Sequence, residues 1–428
     1  MKKVLQEIII THLTAIVNKS FLKQLESISR AILSMRGRIT MLGISRWNER
    51  YSYKTIERFF SKKIDWLVIN WNIIKSSIGK EVILAADECT VSKSGKSTNG
   101  VGYFYSGLEG RAIQGIQFLS FSLIDVESRR AYPLFSKQLY KTKKQVSKNT
   151  KPNRVGRPKG SKNKNSAEIK LKGLFRIVSW YLKIIKKAIG IPSLQYFVYD
   201  GAFGNNVGIQ AVKRANLHLI SKLKRNSNLF FKFTGEQKNK GRPRIYGEII
   251  DYENIDEKYC KKSEINGNIQ TKIYQFEALH KKISSSLNIV VIFSKDLKSN
   301  KVSHMILFST DLMQEYEKII DYYSLRFQIE FNFRDAKQFF GLEDFMNVRK
   351  RRVHNFANLS MYMNNIAYLT HKKSKFENYS INDLKSVFMA EKYTKEILKY
   401  YGQKADDILI DDAIRRVSAF SMIHGHAA

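Results

Sequence analysis

The sequence predicts a mixed α/β fold: a sheet with helices on its faces, interrupted by a β-rich insertion and flanked by helical N- and C-terminal regions. Three observations predict it. Apolar residues recur at helical spacing through residues 1 to about 78, short apolar runs then alternate with helical stretches up to residue 227, and β-type runs fill 228 to about 309.

Taken in order, Val4–Val17, Phe21–Leu33 and Tyr53–Trp71 carry apolar positions at three and four spacing, with Ser52 placed to cap the last helix. Short basic helices of this kind suit insertion into a DNA groove, and an ordinary helical bundle is the alternative. From Glu81 the runs shorten to Val82–Ala86, Val101–Tyr105, Ile116–Val126 and Ala131–Phe135, a meander of strands. A basic stretch follows from Lys137 to Gly173, expected to be without regular structure, with thirteen Lys or Arg against the single acid Glu168. Helix Leu174–Ile189, strand Leu194–Tyr199, helix Ile209–Ala215 and strand Leu217–Leu223 come next.

In the insertion, Ile269–Leu279, Leu287–Phe293 and Val302–Phe308 read as strands, and Asn266-Gly267 favours a tight hairpin. Asp311, with Gln314 three residues on, is expected to open a long helix running to about Phe340, and helices fill the chain from Val348. The units implied are 1–80, helical; 81–227, the first part of a mixed α/β core with its basic loop 137–173; 228–310, the insertion; 311–347, a helix that returns to the core; and 348–428, helical.

A chain of 428 residues with 43% hydrophobic and 12% aromatic residues can bury a sizeable core. Its formal charge of +36 would oppose compaction unless a polyanion relieved it, which points to nucleic acid. Cys89 and Cys260 cannot build a disulfide framework, and the eight His lack zinc-ligand spacing. No stretch is apolar enough for a membrane span, so a soluble protein of the reducing cytoplasm is expected.

Asp87 ends the run Val82–Ala86 and Asp200 ends Leu194–Tyr199, each where a buried strand surfaces. A third acid, Glu330, lies in Tyr323-x-x-Arg326-x-x-x-Glu330-x-x-x-Arg334-x-x-Lys337. On a continuous helix these five share one face within about 80°, beside an apolar stripe of Leu325, Ile329, Phe333, Ala336 and Phe340. A solvated salt-bridge face is the bland reading of that spacing. The functional one is that three hard carboxylates hold two Mg²⁺ ions, with Mn²⁺ able to substitute, while the cations grip phosphates on either side of a scissile bond. Glu88, a rival ligand, is pointed to the other face by strand alternation, and Cys89 reads as a packing residue.

Tyr323, Arg326, Glu330 and Lys337 match the Tyr-2-Arg-3-Glu-6-Lys signature, so the chain resembles the DDE-type insertion-sequence transposases. The resemblance covers most of residues 80–345 and implies a ribonuclease-H-like order: Asp87 on the first strand, Asp200 on the fourth, Glu330 on a late helix, with a β insertion between the last two. It implies catalytic and metal-binding roles for the three acids, transposon-end contacts by Tyr323, Arg326 and Lys337, and double-stranded DNA as partner. It also implies a homodimer that pairs two ends in the bacterial cytoplasm at the nucleoid. Some relatives hold a flipped base on a Trp of the insertion. Here Trp47, Trp66, Trp71 and Trp180 all lie elsewhere, leaving Tyr246, Tyr274 or Phe276 for stacking. A DNA-binding descendant without catalysis, or a nuclease without strand transfer, are the alternative functions.

Two further motifs, Gly156-Arg157-Pro158-Lys159-Gly160 and Gly241-Arg242-Pro243-Arg244, set Arg beside Pro in a basic, extended context. Arg157, Lys159 and Arg242 are therefore candidate minor-groove contacts, or phosphate contacts on a solvated loop.

Overall fold

In a computed structural model of the chain, the structure describes residues 1–107, 109–141, 169–374, 378, 380–400, 407–419 and 422. Five helices come first: α1 (Lys2–Leu13), α2 (Lys19–Ser34), α3 (Met41–Trp47), α4 (Tyr53–Ser61) and α5 (Trp66–Ile74). Side chains of Asn18, Thr40 and Asp65 cap α2, α3 and α5, each accepting a first-turn N–H. Ser52 occupies the N-cap of α4 without making that bond.

Strands β1 (Val82–Ser92), β2 (Gly102–Ser106), β3 (Arg111–Asp125) and β4 (Arg130–Leu139) form the meander, followed by α6 (Gly173–Ile189), β5 (Tyr196–Val198), α7 (Asn206–Lys213) and β6 (His218–Lys222). The order β4-β3-β1-β5-β6 has β1, β3 and β4 antiparallel and β5 and β6 parallel to β1. This is the ribonuclease-H-like arrangement. Lys137, placed by composition in the basic stretch, belongs to β4, where Leu119 is its register partner.

Beyond β6 the chain adds β7 (Leu229–Lys232), β8 (Tyr246–Ile249), β9 (Cys260–Asn266), β10 (Ile269–His280), β11 (Leu287–Asp296) and β12 (Val302–Ser309). The Asn266-Gly267 hairpin forms as expected, with Gly267 at φ +59°, a left-handed position that suits Gly. These strands continue the main sheet, since β12 pairs antiparallel with β6 and the result is one 12-stranded sheet. Tyr274 and Phe276 are buried, the latter against Phe231 and Tyr259, so neither presents a free face for a base.

Helices α8 (Tyr316–Leu325), α9 (Gln328–Phe339), α10 (Lys350–Lys372), α11 (Ile381–Tyr400) and α12 (Asp407–Ala419) complete the described elements. The expected long helix is thus two. Asp311 does not cap it: its carboxylate accepts from Tyr196 and from the Met313 N–H, and the helix starts five residues later. The break at Arg326-Phe327 contains no Gly or Pro. There, i−3 bonds from Phe327, Ile329 and Glu330 to Ser324, Arg326 and Phe327 replace the α-helical pattern.

The central helix α10 locks the layers together through buried amides. Asn355 bonds the carbonyls of Phe60 and Lys62, Asn358 pairs with both backbone groups of Ser136, and Asn365 reaches Pro133 and Asn70. Each supplies a partner to a polar group that would otherwise be stranded in the core. Among the described residues, no helix is long and apolar enough to cross a membrane.

Candidate active site

Asp87 lies within β1 rather than at its end, because β3 pairs with β1 along its whole length from Val82 to Ser92. On its other side β1 runs parallel to β5, with Leu84 beside Phe197 and Ala85 beside Val198. Two residues further along the same register, Asp87 comes level with Asp200, just where β5 ends. The surfacing expected of Asp87 is therefore produced by its neighbour stopping. Asp200 is held by its own fold: its carboxylate accepts from the Ala202 N–H at 3.0 Å, and its carbonyl accepts from the Ser221 hydroxyl at 2.6 Å.

Glu330 sits in the first turn of α9, where the helix dipole favours an acid. The helix is seated by its stripe, since Leu325, Ile329, Phe333, Ala336 and Phe340 are all buried as expected. Arg326, at the break, joins Glu330 to the sheet. Its guanidinium lies 2.9 Å from Asp87 Oδ2 and 3.6 Å from Glu330 Oε1. Side-chain exposure is 16% for Arg326 and 20% for Asp87, so this contact is shielded, whereas Glu330 at 43% faces solvent. The Nε of Arg326 is buried without a partner.

The electrostatics report the same convergence. Burial pushes the Asp87 carboxyl above its ordinary range, Arg326 and the Glu88 N–H counteract it, and Asp200 and Glu330 push it further up. Burial likewise raises the Tyr323 hydroxyl, with Arg326 opposing and Asp200 and Asp87 adding to the shift. Tyr323, Arg326 and the three acids thus share one neighbourhood. Among the described residues no three acid, His or Cys side chains already stand at metal-ligand spacing. Asp87, whose proton affinity Asp200 and Glu330 raise, nonetheless forms with them a donor set that a hard divalent cation would satisfy.

Lys337 donates to the Thr90 carbonyl at 3.3 Å and pairs with Glu343 at 2.7 Å, which sets it farther along β1 from Asp87. Arg334 is not brought to the acids. It turns to Asp335 at 3.1 Å and lies over the ring of Phe331. Arg242 is exposed in the loop before β8, while Arg157 and Lys159 lie outside the described residues. Burial pushes the Cys89 thiol up to about 12, in keeping with a packing residue rather than a nucleophile.

Glu88, set aside on strand alternation, lies close to the Tyr199 hydroxyl. Burial pushes its carboxyl up to about 7 despite that hydroxyl, and Asp87 and Asp200 contribute in the same direction. Lys93 was not signalled by any spacing. Its ammonium donates to the carbonyls of Glu343 and Phe345 and fastens the end of β1 to the segment after α9.

The chain matches the family model described as DDE superfamily endonuclease over residues 12–274, and the one described as Transposase DDE domain over residues 181–368. No curated relative matches it. Among solved structures it is similar to the piggyBac transposase in the cryo-EM structure of its synaptic complex with hairpin DNA. That likeness has 10% identity and a TM-score of 0.40, covering 97% of this chain and 82% of that one. With more than half of its length matched to the first of these models, including Asp87 and Asp200, the chain belongs to the DDE superfamily endonucleases.

Proposed function

We propose that this protein is an insertion-sequence transposase, which binds terminal inverted repeats, hydrolyses the phosphodiester at each end and transfers the 3′-OH to target DNA. One observation carries the reading: Arg326 ties Glu330 of α9 to Asp87 of β1, with Asp200 level with Asp87 just past the end of β5. The match to a transposase DDE domain, which spans Asp200 and Glu330, supports it.

Asp87, Asp200 and Glu330 are the residues that would hold the metal. Two divalent ions, Mg²⁺ or Mn²⁺, supply a water nucleophile at neutral pH and charge neutralisation at the leaving 3′ oxygen. Arg326 exchanges its carboxylate partners for a phosphate of the DNA end, the Tyr323 hydroxyl orients the same strand, and Lys337 meets the next phosphate. Arg334 and Arg242, both exposed, reach the duplex farther out, as do Arg157 and Lys159. Residues 1–80 bind the transposon end, 228–310 form the insertion, 311–347 carry the Glu-bearing helix, and 348–428 pair two copies as a homodimer in the bacterial cytoplasm.

The test is a strand-transfer assay on a labelled fragment carrying the DNA that borders the reading frame. Joined products in Mg²⁺ and none in EDTA are expected. Cleavage without joining would make the protein a nuclease, and binding with neither would make it a DNA-binding descendant.

A further inference from the structure

The edge strand β2 exposes two tyrosines that nothing in the fold requires. Along it, Phe104 is buried while Tyr103 and Tyr105 on either side are 61% and 66% exposed, so the two rings share one face. Residues two apart on a strand are separated by roughly 6.6 Å, close to twice the roughly 3.4 Å between stacked bases. Neither ring is paired with another ring or with a cation among the described residues. Aromatic rings left outward in this way forfeit burial, which is tolerated where a partner covers them.

The surroundings select the partner. Between Lys93 and Gln117 the only acid is Glu109, and Arg111 pairs with it at 3.1 Å. Lys96 is exposed in the loop that leads to β2, Lys350 lies 5.6 Å from the ring centre of Tyr140, whose hydroxyl donates to Asn99 just before the strand, and Lys141 packs over Phe104 on the opposite face from the two tyrosines. A cationic surface with open aromatic faces is complementary to a nucleic-acid strand whose bases are free to stack.

The strand also lies on the path from the acids. The Tyr105 carbonyl accepts from the Thr90 hydroxyl at 3.2 Å, and the Thr90 carbonyl accepts from Lys337. Thr90 is three residues along β1 from Asp87, on the order of 10 Å, which about three nucleotides span. Lys93 and the Asn99 N–H, bonded to residues 343–348, hold this edge in place.

We propose that Tyr103 and Tyr105 form a stacking platform for unpaired bases of the DNA strand that runs out of the Asp87 site. The proposal rests on the transposase reading for its substrate, but its test does not depend on cutting. Fluorescence anisotropy of the full chain with a labelled single-stranded 20-mer and with a duplex of the same length compares wild type, the Tyr103→Ala/Tyr105→Ala pair and the Tyr103→Phe/Tyr105→Phe pair. The Ala pair is expected to lose about tenfold or more for the single strand, with duplex affinity and the salt slope unchanged, because the lysines still meet the phosphates. The Phe pair keeps wild-type affinity, which also shows that the strand still folds. The platform is overturned if the Ala pair binds single strands as wild type does, loses duplex binding equally, or is matched in its loss by the Phe pair. Failure of wild type to bind either DNA would instead sink the transposase reading.

Discussion

Arg326 stands between two carboxylates that must face a divalent cation if the proposed chemistry occurs, so guanidinium and metal compete for Asp87 and Glu330. A DNA phosphate that draws Arg326 away would therefore prepare the site only when substrate is present. Removing the competitor should raise metal affinity in the absence of DNA. For Arg326→Gln, calorimetric titration of the DNA-free protein with Mn²⁺ is expected to show binding tighter by about tenfold, roughly the worth of one shielded charged hydrogen bond. Equal or weaker binding than wild type would mean that Arg326 does not occupy the metal's place. At this scale, Asp87 and Asp200 are legible in the sequence because each follows an apolar run that can only be a buried strand. The pairing of Arg326 with Asp87 is not legible, because 239 residues separate them and no local spacing records a contact made through the sheet.

Among the elements, α10 shows how a long helix with scattered asparagines becomes the centre of a fold. Asn358 accepts from the Ser136 N–H at 2.8 Å and donates to its carbonyl at 2.9 Å, which mimics a strand partner for β4. Asn358→Ala would leave both backbone groups buried and unpaired. A loss of about 3 kcal/mol is expected in urea denaturation, the sum of two such penalties near the middle of their range. A loss below about 1 kcal/mol would show that water or a neighbour replaces the amide. Local periodicity predicts most elements within a few residues, since β10, β11 and β12 begin at Ile269, Leu287 and Val302 as read from the sequence. Several features escape it: α3, β7 and β8 carry no reading, and Tyr53–Trp71, read as one helix, is divided between α4 and α5. The break between α8 and α9 forms without a breaker residue, and the strands after β6 join the main sheet through a pairing of β12 that composition cannot encode.

Across the whole molecule, the N-terminal helices, the Glu-bearing helix and the C-terminal helices meet at Lys385. Its ammonium donates to the carbonyls of Ile32 in α2 and Phe339 in α9, and Lys392 of the same helix pairs with Glu49 at 2.9 Å. Desolvation pushes the Lys385 ammonium down to about 7, with Arg36 adding to it and Asp344 opposing. The unfolded chain would hold that proton up to its ordinary value of 10.5. Between those limits the unfolded state binds more protons, so this group makes stability rise with pH from about 7 and level off near 10.5. Urea denaturation at several pH values should show a smaller rise in this window for Lys385→Met than for wild type. Identical slopes would show that Lys385 keeps its proton when folded.

The central claim is that Asp87 of β1, Asp200 just after β5 and Glu330 of α9 act as one metal site. Mn²⁺ titration of the protein bound to duplex DNA, followed by electron paramagnetic resonance with the ion held by DNA alone subtracted, tests it most directly. Asp87→Asn, Asp200→Asn and Glu330→Gln should each weaken Mn²⁺ binding by about tenfold or more while DNA affinity persists. If one of the three binds Mn²⁺ as tightly as wild type, that acid does not share the site and the account fails.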